Sequence, residues 1–93
     1  MIVISRLVWE SWNTAHIARH DVVPDEVEEV CHGNYIASET YKGRIRVVGP
    51  TRAGRLLTVI LAPIGAGTYY TVTAHNASAG ERKRYHELKG NQP

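Results

Sequence analysis

The chain carries one cysteine in 93 residues, so an internal disulfide is excluded and a stapled, secreted scaffold is not suggested. Cys31 falls within a helical pattern and reads as a small buried apolar residue. Long hydrophobic runs are also missing. The longest, residues 59–64, is far shorter than the roughly 20 residues that span a bilayer. The apolar start is broken early by Arg6 and Glu10, unlike a signal peptide. The expectation is a cytoplasmic protein with no membrane contact. Repeats, low-complexity tracts and linkers are absent too. A length of 93 residues suits one domain, 1–93.

Acidic residues become scarce in the second part of the chain. Seven of the nine lie in the first 41 positions, whereas nine of the eleven Lys and Arg lie from Lys42 onward. The front is acidic and the remainder basic, a polarity that fits an anionic ligand on the later elements. The ordinary alternative is a solvated surface.

Residues 2–8 form an apolar lead, readable as a short strand. Ser11 is a candidate cap for a helix over 12–20. Pro24 suits the first turn of a second helix, where its missing N–H is not needed. Asp25, Glu26, Glu28 and Glu29 then favour the helix dipole, and Val27, Val30 and Cys31 make the buried stripe. Gly33 is a natural left-handed stop. Beyond it the hydrophobic period changes to two. Strands are expected over 35–41, 44–48, 55–62 and 68–74, separated by Lys42-Gly43, a loop over 49–54 and a glycine-rich turn over 63–67. Ser78 and Glu81 form a capping box that opens a helix to Lys89. Gly90 stops it, and residues 91–93 are expected to fray. The fold class is α+β: two N-terminal helices packed on a four-stranded antiparallel sheet, with a C-terminal helix. Short connections favour a meander, because parallel pairing requires long crossovers.

Strict alternation puts Arg44, Arg46, Tyr69, Thr71, Thr73 and His75 on one sheet face. It puts Ile45, Val47, Tyr70, Val72 and Ala74 on the other, against the helices. Arginine holds phosphate through charge-assisted bonds, and tyrosine can stack on an unpaired base. Histidine transfers protons near neutral pH. Metal-free RNA cleavage needs a base, an acid and positive charge for the phosphorane. His75 with Arg44, Arg46 and Arg55 could assemble such a site, although exposed strands also carry Arg and Thr merely for solubility. His16 and His20 have metal-ligand spacing, but no HExxH motif and no third ligand accompany them. A resident metal or cofactor is not expected. Gly65-Ala66-Gly67 reads as a turn, since no strand-to-helix context and no Lys-Ser/Thr follow it. On the last helix, Tyr85 and Leu88 are candidate anchors with Arg82 on their side. That helix can touch RNA, pack on the sheet edge or meet a partner chain, a second copy included.

The order of motifs resembles BrnT-type toxins. Trp9-Glu10, the helix ending in Arg19-His20, and Val22-Val23-Pro24-Asp25-Glu26-Val27 resemble that family's opening. Gly43-Arg44-Ile45-Arg46-Val47-Val48-Gly49 is similar to its Gly-x-Arg strand, and Gly54-Arg55-Leu56-Leu57-Thr58-Val59 to the strand after it. Val72-Thr73-Ala74-His75-Asn76-Ala77 and Glu81-Arg82-Lys83-Arg84-Tyr85 resemble its closing segments. The resemblance spans nearly the whole chain. It implies a RelE-like fold and a metal-independent ribonuclease that stops translation, acting on RNA, ribosome-bound mRNA included. It also implies a cognate DNA-binding antitoxin, the pair forming a type II toxin-antitoxin system. By position, Arg44, Arg46, Arg55, His75 and Arg82 inherit the family's active roles. Taken with the residue reading, His75, Arg46 and Arg55 are the candidate catalytic groups, and Arg44, Tyr69, Thr73 and Arg82 the RNA-binding ones. The chain departs from the pattern at Asp21, which replaces a usual Gly, and at His75, which replaces a usual Arg. The competing reading is a non-catalytic RNA- or protein-binding subunit on the same scaffold.

Overall fold

The computed structural model describes residues 2–90. The expected fraying of 91–93 therefore lies outside the described residues. The elements run β1 (Arg6–Val8), α1 (Ser11–Ala18), α2 (Pro24–Cys31), β2 (Ile36–Glu39), a 3₁₀ turn (Tyr41–Gly43), β3 (Ile45–Pro50), β4 (Leu56–Gly65), β5 (Thr68–Asn76) and α3 (Ala79–Lys89). The sheet order is β1-β5-β4-β3-β2.

Four of these strands form the expected antiparallel meander. The four-stranded, all-antiparallel expectation is corrected by the fifth. The apolar lead contributes β1, which pairs parallel to β5 with Leu7 opposite Tyr69. Its crossover is everything between them, from α1 to β4. Considering only sequential neighbours hides such a pair, because the first strand joins the last.

The two faces of the sheet are covered differently. On the inner face, Ile17 of α1 and Val27, Val30 and Cys31 of α2 pack on Ile45, Val47, Val59 and Leu61. The expected stripe of α2 is thus the buried one. Full burial of an aliphatic side chain is worth about 1.5–3 kcal/mol, so this layer supplies most of the cohesion. On the outer face, Tyr85 of α3 packs with Val48, Leu56 and Ala77 in a smaller cluster. The Tyr85 hydroxyl donates to the Asn34 carbonyl at 2.6 Å, tying α3 to the loop before β2.

Strict alternation fails in β5. Leu61 pairs with Thr71 but Ile60 pairs with Thr73, so Val72 is an extra residue, a β-bulge. A one-residue insertion reverses the faces of everything before it. Tyr69 and Thr71 therefore point inward and are buried, while Tyr70 moves to the outer face. The expected outer positions of Tyr69 and Thr71, and the expected inner position of Tyr70, are corrected for this reason. Thr73, Ala74 and His75, beyond the bulge, have the expected phase.

Several ends also differ. Helix α1 starts one residue earlier, with Glu10 rather than Ser11 at its cap. There Asn13 replaces the expected serine cap: its Oδ1 accepts from the Glu10 N–H at 2.8 Å and its Nδ2 donates to the Val8 carbonyl at 2.9 Å. Asn13 is fully buried, so it fixes the turn from β1 into α1. Residues 19 and 20 fall outside the helix, and Asp21 follows with φ 59°. That left-handed conformation explains why glycine suits this position. Gly33, by contrast, is not left-handed; a Cβ there would lie 2.7 Å from the Glu29 carbonyl oxygen, so close approach is what demands glycine. Strands β3 and β4 run on through Pro50 and Pro63. Both prolines lie past the end of one neighbouring strand, where no N–H is needed. Helix α3 follows its sequence signals: the Glu81 N–H donates to Ser78 Oγ, and the Ser78 N–H to Glu81 Oε1.

Candidate functional site

Directly paired residues on neighbouring strands share a face. Two cross-strand rows therefore define the outer surface: Arg46–Ile60–Thr73, and Val48–Thr58–His75. Helix α3 covers the Val48 end through Tyr85. It also delivers Glu81 to the middle of the face, since Glu81 precedes Tyr85 by one helical turn.

Glu81 is the hub. Its Oε1 accepts from the Thr58 hydroxyl at 2.8 Å and from the Ser78 N–H at 2.8 Å. Its Oε2 lies 3.8 Å from Arg46 Nε. Burial disfavours its charged form, but the bonds from Ser78 and Thr58, with His75 nearby, outweigh burial and hold the carboxyl below its ordinary value. The group is a carboxylate at neutral pH, flanked by an arginine and a histidine. The Arg46 contact is long and half exposed, so it contributes little to stability. It leaves most donors of the guanidinium free for a phosphate.

His75 Nδ1 lies 3.0 Å from the Asn76 carbonyl oxygen. A carbonyl only accepts, so Nδ1 carries the proton and Nε2 is the free nitrogen. Two further imidazoles continue from it. His20 lies 5.9 Å from His75, ring centre to ring centre, and His16 lies 5.9 Å from His20. Among the described residues no group of three potential ligands has the geometry to hold a metal ion.

The remaining expected residues fall in five places. Thr73 lies in the Arg46 row. Arg44 is half-buried just before β3, and Arg82 is exposed on α3. Neither side chain has a hydrogen bond or ion pair among the described residues. Tyr69 lies in the inner core. Arg55 is held elsewhere, at the end of the sheet. Its Nε donates to Asn76 Oδ1, its Nη1 to the Asp21 carbonyl and the Glu26 carboxylate, and its Nη2 to the His20 carbonyl. With its donors so engaged, Arg55 is a clamp joining the turn after α1, α2 and β5. It also locates His20 beside His75. Cys31 is buried, with its thiol pushed up to about 12 by burial and by Glu28, so it is not a nucleophile.

Sequence reasoning missed Glu81 and Thr58. Glu81 is legible as a capping residue, and that role concealed its second one. Thr58 sits in the most apolar strand and carries no signal of its own.

No family model matches the sequence, and no curated protein matches it. Among solved structures, the chain is similar to the crystal structure of the Brucella abortus ribonuclease toxin BrnT. The likeness has a TM-score of 0.64 and 20% sequence identity, and covers 78% of this chain and 96% of that one. Three helices on a five-stranded mixed sheet, joined in this order, give this chain the fold of the BrnT ribonuclease toxin.

Proposed function

We propose that the chain is a toxin-like, metal-independent ribonuclease of the BrnT type. The observation that carries this reading is the meeting of Arg46, Glu81 and His75 on the open sheet face of a BrnT fold. In the proposed reaction, His75 Nε2 accepts the proton of an RNA 2′-hydroxyl. The freed oxygen attacks the adjacent phosphorus. Arg46 balances the charge of the phosphorane, with Arg44, Thr73 and Arg82 holding flanking phosphates and sugars. His20, ring to ring with His75, protonates the leaving 5′-oxygen. Glu81 is a positioning residue that orients Arg46. Arg55 acts through His20 and Asn76 rather than on substrate.

Inhibition of translation through mRNA and silencing by a cognate DNA-binding antitoxin belong to the same proposal. Purified protein should cut RNA in EDTA, and His75→Ala or Arg46→Ala should each slow cutting by about 10²–10⁴-fold. Undiminished cutting by both variants would overturn the assignment.

A second reading, a non-catalytic subunit, is favoured by one feature. Leu88 is 58% exposed at a cleft it forms with Ile36, Val48 and Arg84 and that Arg46 and Glu81 also line, so a segment of another chain seated there would cover the proposed site. Copurification with the product of the neighbouring gene, without any RNA turnover, would support that reading instead.

A further inference from the structure

Trp12 is 47% exposed, and the inner core does not use it. Its ring lies 5.5 Å from the Tyr70 ring, edge to face at 61°. The bulge at Val72 is what turns Tyr70 outward to meet it. The Tyr70 hydroxyl donates to the Glu10 carboxylate at 3.2 Å, so the ring is pinned while part of its face stays open. Trp12 also begins a stripe. His16 follows it by four residues, a spacing that places helix side chains about 5–6 Å apart. His16 then meets His20, and His20 meets His75, at 5.9 Å each. A line of aromatic rings thus runs from the Trp12–Tyr70 pair to the proposed cutting residue.

The imidazoles of that line meet edge to face, at 66–68°, so their contacts are with one another. Trp12, at its end, keeps an exposed face, and an exposed aromatic face stacks on a base whose own face is open, as in an unpaired strand. Arg19 lies beside His20 in sequence and adds a positive charge near the line. Glu10 is the acidic group at the far end, and it is bonded to Tyr70.

We propose that the Trp12–Tyr70 pair is a stacking platform for one unpaired nucleobase, so that the substrate is single-stranded RNA running along β5 and α1. At the usual strand rise, Tyr70 and His75 lie roughly 15 Å apart along β5. The platform base is therefore two to three nucleotides from the cut phosphate. The inference rests on the ribonuclease reading for that last distance only, because binding is measurable without cleavage.

The test uses the full chain and oligonucleotides with 2′-O-methyl riboses, which cannot be cut through the 2′-oxygen. Affinity is measured by fluorescence anisotropy for a dinucleotide, a hexanucleotide and a duplex of the same sequence. The wild type should bind the hexanucleotide much more tightly than the dinucleotide. Trp12→Ala should lose about tenfold in hexanucleotide affinity, Trp12→Phe should recover most of that loss, and duplex binding should not respond to either change. Thermal melting verifies that both variants fold, which the exposure of Trp12 favours. A hexanucleotide affinity unchanged in Trp12→Ala overturns the platform, even if the protein cuts RNA. An equal loss for duplex overturns it as well, as does a wild type that binds no hexanucleotide. Trp12-dependent binding without any cleavage would sustain the platform and remove the ribonuclease reading instead.

Discussion

Single side chains here carry both stability and chemistry. Thr71 is fully buried, and its hydroxyl has no hydrogen-bond partner among the described residues. An unsatisfied buried hydroxyl costs about 1–3 kcal/mol. Thr71→Val keeps the shape and removes the orphan group, so it should raise stability by roughly 1 kcal/mol, read from the urea midpoint. Glu81 gives a pH signature. Its folded pKa lies below its ordinary value of 4.5, so its stabilising contribution is complete above about pH 4.5. That contribution is lost as pH falls through the lower folded value. Glu81→Gln should therefore flatten the acid limb of a stability–pH curve and leave its basic limb alone. An unaltered acid limb would contradict the bonding described for Thr58 and Ser78. Of the residues singled out from sequence, Arg46, Thr73 and His75 share the open face, because each lies where simple alternation holds. Arg55 was not legible. Its partners Glu26, Asp21 and His20 lie 29 to 35 residues away, and nothing local distinguishes a clamp from a phosphate ligand.

At the level of elements, local signals located what local physics decides. Helix α2 begins at its proline and buries the stripe its period dictates. Helix α3 begins at its capping box and ends at Gly90, which has φ 68°. Ser78→Ala should cost about 1 kcal/mol and loosen Glu81 from the sheet. The combined result to look for is a lower melting temperature together with slower RNA cutting. Arg55→Met retains the aliphatic stem but removes the bonds to the turn after α1, to α2 and to β5. A loss of about 2–3 kcal/mol is expected from thermal or urea unfolding; an unchanged midpoint would show the clamp to be idle. The bulge in β5 was invisible for a different reason. Residues 68–76 alternate in a manner compatible with either phase, and only pairing with Leu61 and Ile60 selects one. The strand that carries the proposed site is thus read correctly after Val72 and in reverse before it.

For the whole molecule, the division of labour follows from the two sheet faces. The inner face joins α1 and α2 to the sheet in the larger core. The outer face is only partly covered by α3, which leaves Arg46 exposed and His75 and Tyr70 half-buried between α1 and α3. The parallel β1–β5 pair completes this arrangement by fixing α1 beside β5, bringing Trp12 to Tyr70 and His20 to His75. That long-range contact could not be read from sequential strands. Yet it converts a basic strand face into a bounded path, within a fold shared with the BrnT ribonuclease toxin. The most direct test of this account is the chemistry of the ends left on RNA treated with purified protein in EDTA, determined by mass spectrometry. The account predicts a 2′,3′-cyclic phosphate on one product and a 5′-hydroxyl on the other, both lost in His75→Ala. Products bearing 5′-phosphate and 3′-hydroxyl ends, or cyclic phosphates that persist undiminished without the His75 imidazole, would contradict it.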